Sequence, residues 1–183
     1  MAQKWRMARY DSQNKRPGLD QASLRDLALA YVGRFATSRA RLTRYLRRKL
    51  RERDWAGEGE PDIEALIARC GELGYVDDEA YARMKGASME RRGLGPARVR
   101  ATLAADGIGE ADRLPAEDLA HAGRWDAADI LARRKRIGPY GDGDKDPLRR
   151  QRHIAAFVRA GHDFDTARAW VDAEPGAFPE RSE

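Results

Sequence analysis

The chain holds 183 residues, 42% of them hydrophobic and 36% charged, which supplies a core but points to a surface-rich shape rather than one compact ball. Lys and Arg number 35 against 30 Asp and Glu, a net charge of +5, so the basic excess is modest unless one face concentrates it. No apolar run of about 18 residues could span a bilayer, and the basic N-terminus lacks the apolar segment of a signal peptide, so a cytoplasmic protein is expected.

Residues 1–19 mix Lys4, Arg6, Arg9, Lys15 and Arg16 with Trp5, Met7 and Tyr10, show no sustained period and end near Pro17-Gly18. They read as a flexible basic arm. Beyond them apolar residues recur at helical spacing and β-branched residues are sparse, which predicts an all-α fold. Helices are expected over 21–35, after Ser38, over 62–73, over 78–91, after Pro96, briefly after Ile108 where Pro115 interrupts, over 125–136, after Pro147 and over 163–172. Ser38, Asp62, Asp77, Asp146 and Asp163 suit N-caps, and Pro96 and Pro147 suit the first helical position.

Counting four and eight residues from Ser38, Gly95 and Asp146 gives Leu42 and Leu46, Val99 and Leu103, then Arg150 and Ile154, so a core pattern recurs along the chain. The recurrence predicts three tandem three-helix modules over 20–76, 77–122 and 123–173. A Gly- and Pro-rich hinge falls at about 137–145, and a flexible tail over 174–183. Because a module of about 50 residues buries little surface alone, an elongated or curved stack follows.

The densest chemical feature is Arg39, Arg41, Arg44, Arg47, Arg48, Lys49, Arg51 and Arg53, opposed within that helix only by Glu52. Leu42, Leu46 and Leu50 hold one face, while Arg41, Arg44, Arg48 and Arg51 fall on another at steps of three and four. Such a guanidinium stripe suits phosphates or an acidic protein surface. Arg91, Arg92, Arg98 and Arg100 flank the second cap, and Arg149, Arg150 and Arg152 open the third corresponding helix. The bland alternative is a solvated face paired with acids elsewhere.

Other motifs fail on inspection. Gly93-Leu94-Gly95-Pro96 lacks the lysine-serine ending and preceding strand of a phosphate loop and reads as punctuation between helices. Asp142, Asp144 and Asp146 imitate a calcium loop, but Pro147 stands where glycine is needed and His153 where a bidentate Glu is needed. His121, His153 and His162 are dispersed, so no metal, cofactor or catalytic residue is assigned and a non-enzymatic role is expected. The single cysteine, Cys70, excludes an internal disulfide and a multi-cysteine zinc site; it lies on the stripe Ile63, Leu66, Ile67, Leu73 and reads as a core thiol.

The segment Leu73-Gly74-Tyr75-Val76-Asp77-Asp78-Glu79-Ala80-Tyr81-Ala82 resembles the central signature of the RecX family. The run from Arg92 to Leu103, the run from Asp146 to Gly161 and the start Ser38-Arg39-Ala40-Arg41-Leu42 resemble its other blocks, in order, over about residues 24–171. The loop from Ala56 to Pro61, Pro115 and residues 138–144 depart from the pattern. The resemblance implies a regulator that lodges in the helical groove of a RecA filament on single-stranded DNA and inhibits filament growth, strand exchange, ATP hydrolysis and co-protease activity, acting on repair, recombination and the SOS response; a monomer is expected. Nonspecific duplex binding is also expected, and no membrane. Tyr75 and Tyr81 are expected to pack between modules. An autonomous helical DNA-binding protein is the competing expectation, since three-helix units with a basic second helix resemble helix-turn-helix modules; a helical scaffold for another partner is the third.

Overall fold

The computed structural model describes residues 17–143 and 146–181. The expected basic arm over 1–16 and the outer parts of the hinge and tail, 144–145 and 182–183, lie outside them. Among the described residues there are nine α-helices, one short 3-10 turn and no strand; one isolated parallel bridge joins Leu19 to Trp55. The all-α expectation holds. The chain divides into two compact units between Val76 and Asp77.

In the first unit α1 runs Gln21–Val32, α2 Arg39–Glu52 and α3 Ile63–Glu72. Side-chain caps start each one: Asp20 accepts from Ser23 N, Ser38 from Arg41 N and Asp62 from Ala65 N, satisfying amides that the first helical turn leaves without partners. Leu24, Ala28, Leu42, Leu46, Ile63, Ile67, Cys70 and Val76 form the core. Burial pushes the Cys70 thiol above its ordinary pKa, as expected of a structural cysteine.

The arm boundary needs correction. Leu19 is fully buried in this core, and its N–H donates to Asp54 O at 2.7 Å while its carbonyl accepts from Ala56 N at 2.7 Å. Arg53 donates from Nε and Nη2 to Pro17 O at 2.9 and 2.7 Å. A single apolar residue after Pro-Gly carries no periodicity, so sequence pattern could not separate it from the arm.

The second unit contains α4 Asp78–Glu90, α5 Pro96–Ala105, α6 Glu110–Ala122, α7 Arg124–Lys135, the 3-10 turn Gly138–Tyr140, α8 Pro147–Ala160 and α9 Phe164–Asp172. Tyr81, Ala82, Met89, Val99, Leu103, Ile108, Ala116 and Ala120 make one cluster. Trp125, Ala128, Leu131, Ala132, Ile137, Phe157, Ala160, Ala167 and Trp170 make another, and Leu94 packs against both. Pro115 does not break α6, which passes through it for 13 residues. The proline removes one amide donor, while Ala116 and Ala120 behind it are buried; packing offsets the local cost.

Gly93-Leu94-Gly95-Pro96 is more than punctuation. Gly95 N donates to Ala160 O at 2.9 Å and Ala97 N to Gly161 O at 3.1 Å, and His162 Nε2 lies 3.2 Å from Gly93 O. A Cβ on Gly95 would lie 2.5 Å from the backbone of Gly161, so two backbones meet where only glycine fits. Part of the expected hinge is packed: Ile137 is 1% exposed and Pro139 is buried. The tail is tied back as well, with Gly176 N donating to Pro139 O at 2.9 Å, Phe178 edge-on to Tyr140 and Arg181 paired with Asp126 at 2.6 Å.

Candidate partner-binding surface

The surface begins with the cap at Ser38, which fixes the phase of α2. Leu42 and Leu46 are fully buried and anchor one side of the helix. At about 100° per residue, Arg41, Arg44, Arg48 and Arg51 span roughly 80° of arc centred opposite those leucines. Arg44, Arg48 and Arg51 are exposed and Arg41 is half-buried. The expected stripe is therefore a continuous outward face of one helix.

The helix itself carries one acid. Glu52, the one acid of α2, is shared between Lys49 at 2.6 Å and Arg48 at 3.6 Å. Arg51 makes no ion pair among the described residues. Arg39 reaches over Gly71, where an added Cβ would meet its guanidinium at 2.8 Å, so that arginine packs the first unit rather than extending the stripe. Arg47 borders a cleft lined by Glu60, Asp62 and Glu64.

The second-unit arginines are differently placed. Arg91 and Arg92 follow the end of α4 and are exposed; the Arg92 carbonyl accepts from Arg134 at 2.8 Å. Arg98 lies against Gly161 through its backbone, with Arg98 and Arg100 exposed on α5. On α8, Arg150 binds Asp172 bidentately at 2.6 and 2.7 Å, and Arg149 pairs with Asp142 at 3.0 Å. The Arg150 guanidinium holds the Asp172 carboxyl below its ordinary pKa. Arg152 is exposed. Of the four arginines of α8, Arg149 and Arg150 thus carry acidic partners within the chain, while Arg44, Arg48 and Arg51 of α2 are exposed.

Other expectations resolve individually. Tyr81 is buried and its hydroxyl donates to Asp106 at 2.8 Å. Tyr75 is 51% exposed, contrary to its expected packing. Asp142 and Asp146 are accounted for by Arg149 and by capping of α8, and among the described residues no three His, Cys, Asp or Glu cluster as a metal would need. No helix among the described residues is long and apolar enough to cross a membrane.

Sequence reasoning passed over an aromatic row beside the stripe. Tyr31 stacks on Tyr45 with centroids 4.2 Å apart, Phe35 tilts against Tyr31 at 5.2 Å, and Arg48 and Lys49 lie 5.6 and 5.8 Å from the Tyr45 ring centre. The signal was available: Tyr31 and Phe35 are four residues apart, and Tyr45 interrupts the arginine run.

A curated regulatory protein RecX from Myxococcus xanthus is 33% identical over 161 residues, covering 83% of this chain and 86% of that protein. This chain belongs to the RecX family of regulatory proteins. A RecX protein of Stenotrophomonas maltophilia is 30% identical over 151 residues, covering 81% of this chain and 85% of its own. The crystal structure of RecX from Lactobacillus salivarius superposes with a TM-score of 0.61 at 19% identity, over 80% of this chain and 90% of that one; at this identity it speaks to the fold alone. No family model matches the sequence.

Proposed function

We propose that this RecX-family chain is a non-enzymatic, cytoplasmic regulator that binds, as a monomer, a RecA-type recombinase filament on single-stranded DNA and inhibits it. The observation that carries the reading is the outward face of Arg41, Arg44, Arg48 and Arg51 with one acid in the whole helix. Guanidinium groups at this density match phosphates or carboxylates bidentately, and a filament presents both in regular repeat. Three three-helix modules, 20–76, 77–122 and 123–173, would engage successive repeats, and their linkage would multiply weak contacts. Arg98 and Arg100, then Arg149, Arg150 and Arg152, are the proposed contacts of the later modules.

The test is the DNA-dependent ATPase rate of the host recombinase, titrated with this chain and with the variant Arg44→Glu, Arg48→Glu, Arg51→Glu. All three positions are exposed, so the variant retains helicity. Substoichiometric inhibition by the wild type, lost in the variant, is expected. An unchanged rate alongside DNA binding would favour the autonomous DNA-binding reading instead.

A further inference from the structure

We infer that the row Phe35–Tyr31–Tyr45 is a stacking platform for an unpaired base of single-stranded nucleic acid. The inference rests on the reading above and names what the first unit touches. Phe35 is 56% exposed, an unusual place for a large aromatic at the mouth of a helix connection. Its ring is held by Tyr31 at 5.2 Å, Tyr31 is stacked on Tyr45 at 4.2 Å, and Tyr45 is braced by Arg48 at 5.6 Å. A ring already fixed by its neighbours loses little rotamer freedom when a base lands on it.

The surroundings select nucleic acid over a simple apolar partner. Tyr45 projects from α2 about 40° from Arg41 and about 60° from Arg48, so the row runs beside the guanidinium stripe. Arg34, next to Phe35, is exposed. Cations spaced for a phosphate backbone with an aromatic row alongside are what sequence-indifferent single-strand binding requires: charge follows the backbone, and every base offers a π-face. A duplex buries those faces, so the row should discriminate single strands from duplexes.

The experiment compares fluorescence anisotropy of the full chain on an oligothymidylate of about 20 nucleotides and on an abasic strand of equal length and charge. The wild type should prefer the base-bearing strand by about five- to a hundredfold. Phe35→Ala should remove that preference, leave the abasic affinity unchanged and melt like the wild type, while Phe35→Trp should restore it. Equal wild-type affinity for the two strands, no binding to either, or a preference that survives Phe35→Ala overturns the inference. Inhibition lost in Phe35→Ala with the preference intact also overturns it, placing the ring against protein. The parent reading is judged separately, by recombinase inhibition and its loss in the stripe variant.

Discussion

Substituting Gly95→Ala adds one methyl where φ is −80°, a value any residue adopts, so backbone strain does not enter. The new Cβ would lie 2.5 Å from the carbonyl carbon and oxygen of Gly161 and 2.6 Å from His162 N. Those atoms are backbone and have no rotamer with which to yield. Ordinary contact requires the two segments to part by about 1 Å, which stretches the bonds Gly95 N–Ala160 O and Ala97 N–Gly161 O, now 2.9 and 3.1 Å, beyond bonding range. The Gly95–Ala160 bond joins two buried residues and costs about 1–3 kcal/mol when left unmade, while the bond from the exposed Ala97 costs about 0.5–1.5 kcal/mol. A loss of about 1.5–4.5 kcal/mol is therefore expected in urea unfolding followed by helix signal and tryptophan fluorescence. Trp125 and Trp170 belong to the adjoining cluster and report its loosening. A loss below about 1 kcal/mol would show that the segments shift without breaking those bonds, and would refute the reading of this loop as a clamp.

His162 is 3% exposed, and desolvation holds its pKa below the ordinary 6.5 despite its contact with Gly93 O. The unfolded chain then binds more protons, so stability is fully present above about 6.5 and declines as pH falls below it; His162→Gln should flatten that part of the stability–pH curve, and an unaltered slope would contradict the assignment. The pair Arg150–Asp172 is 45% and 39% exposed, so solvent screening leaves Asp172→Asn only a small effect on stability, read as a melting temperature close to that of the wild type. The same change frees Arg150, and if α8 lies on the nucleic-acid path the salt slope of single-strand binding should steepen by about 0.7; an unchanged slope would remove Arg150 from that path.

Helix placement was legible where local chemistry dictates it. Ser38, Asp62, Asp77, Asp146 and Asp163 all cap the helices expected of them, because an acceptor side chain before an apolar period has one favourable use. Leu42, Leu46, Val99 and Leu103 are all fully buried, as the recurrence of core spacing required. What escaped the sequence depended on distant partners. Leu19 is held by Asp54 and Ala56, and Gly95 by Ala160; neither pairing leaves a periodic trace. Arg150 occupies a position equivalent by count to Leu42 and Val99, yet it meets Asp172, so the repeat is replaced there by an ion pair.

That replacement separates the arginine helices by what their charge is available to do. On α8 acids contributed by the loop and by α9 neutralise Arg149 and Arg150, so a partner's phosphates would have to displace existing bonds. On α2 the steps Arg41–Arg44, Arg44–Arg48 and Arg48–Arg51 set like charges three and four residues apart, each destabilising by about 0.2–0.5 kcal/mol. The helix tolerates this because burying Leu42 and Leu46 contributes about 2 kcal/mol apiece. An anionic partner seated on α2 would relieve that repulsion. On the proposed reading, α2 then contributes to the affinity and the salt dependence of binding.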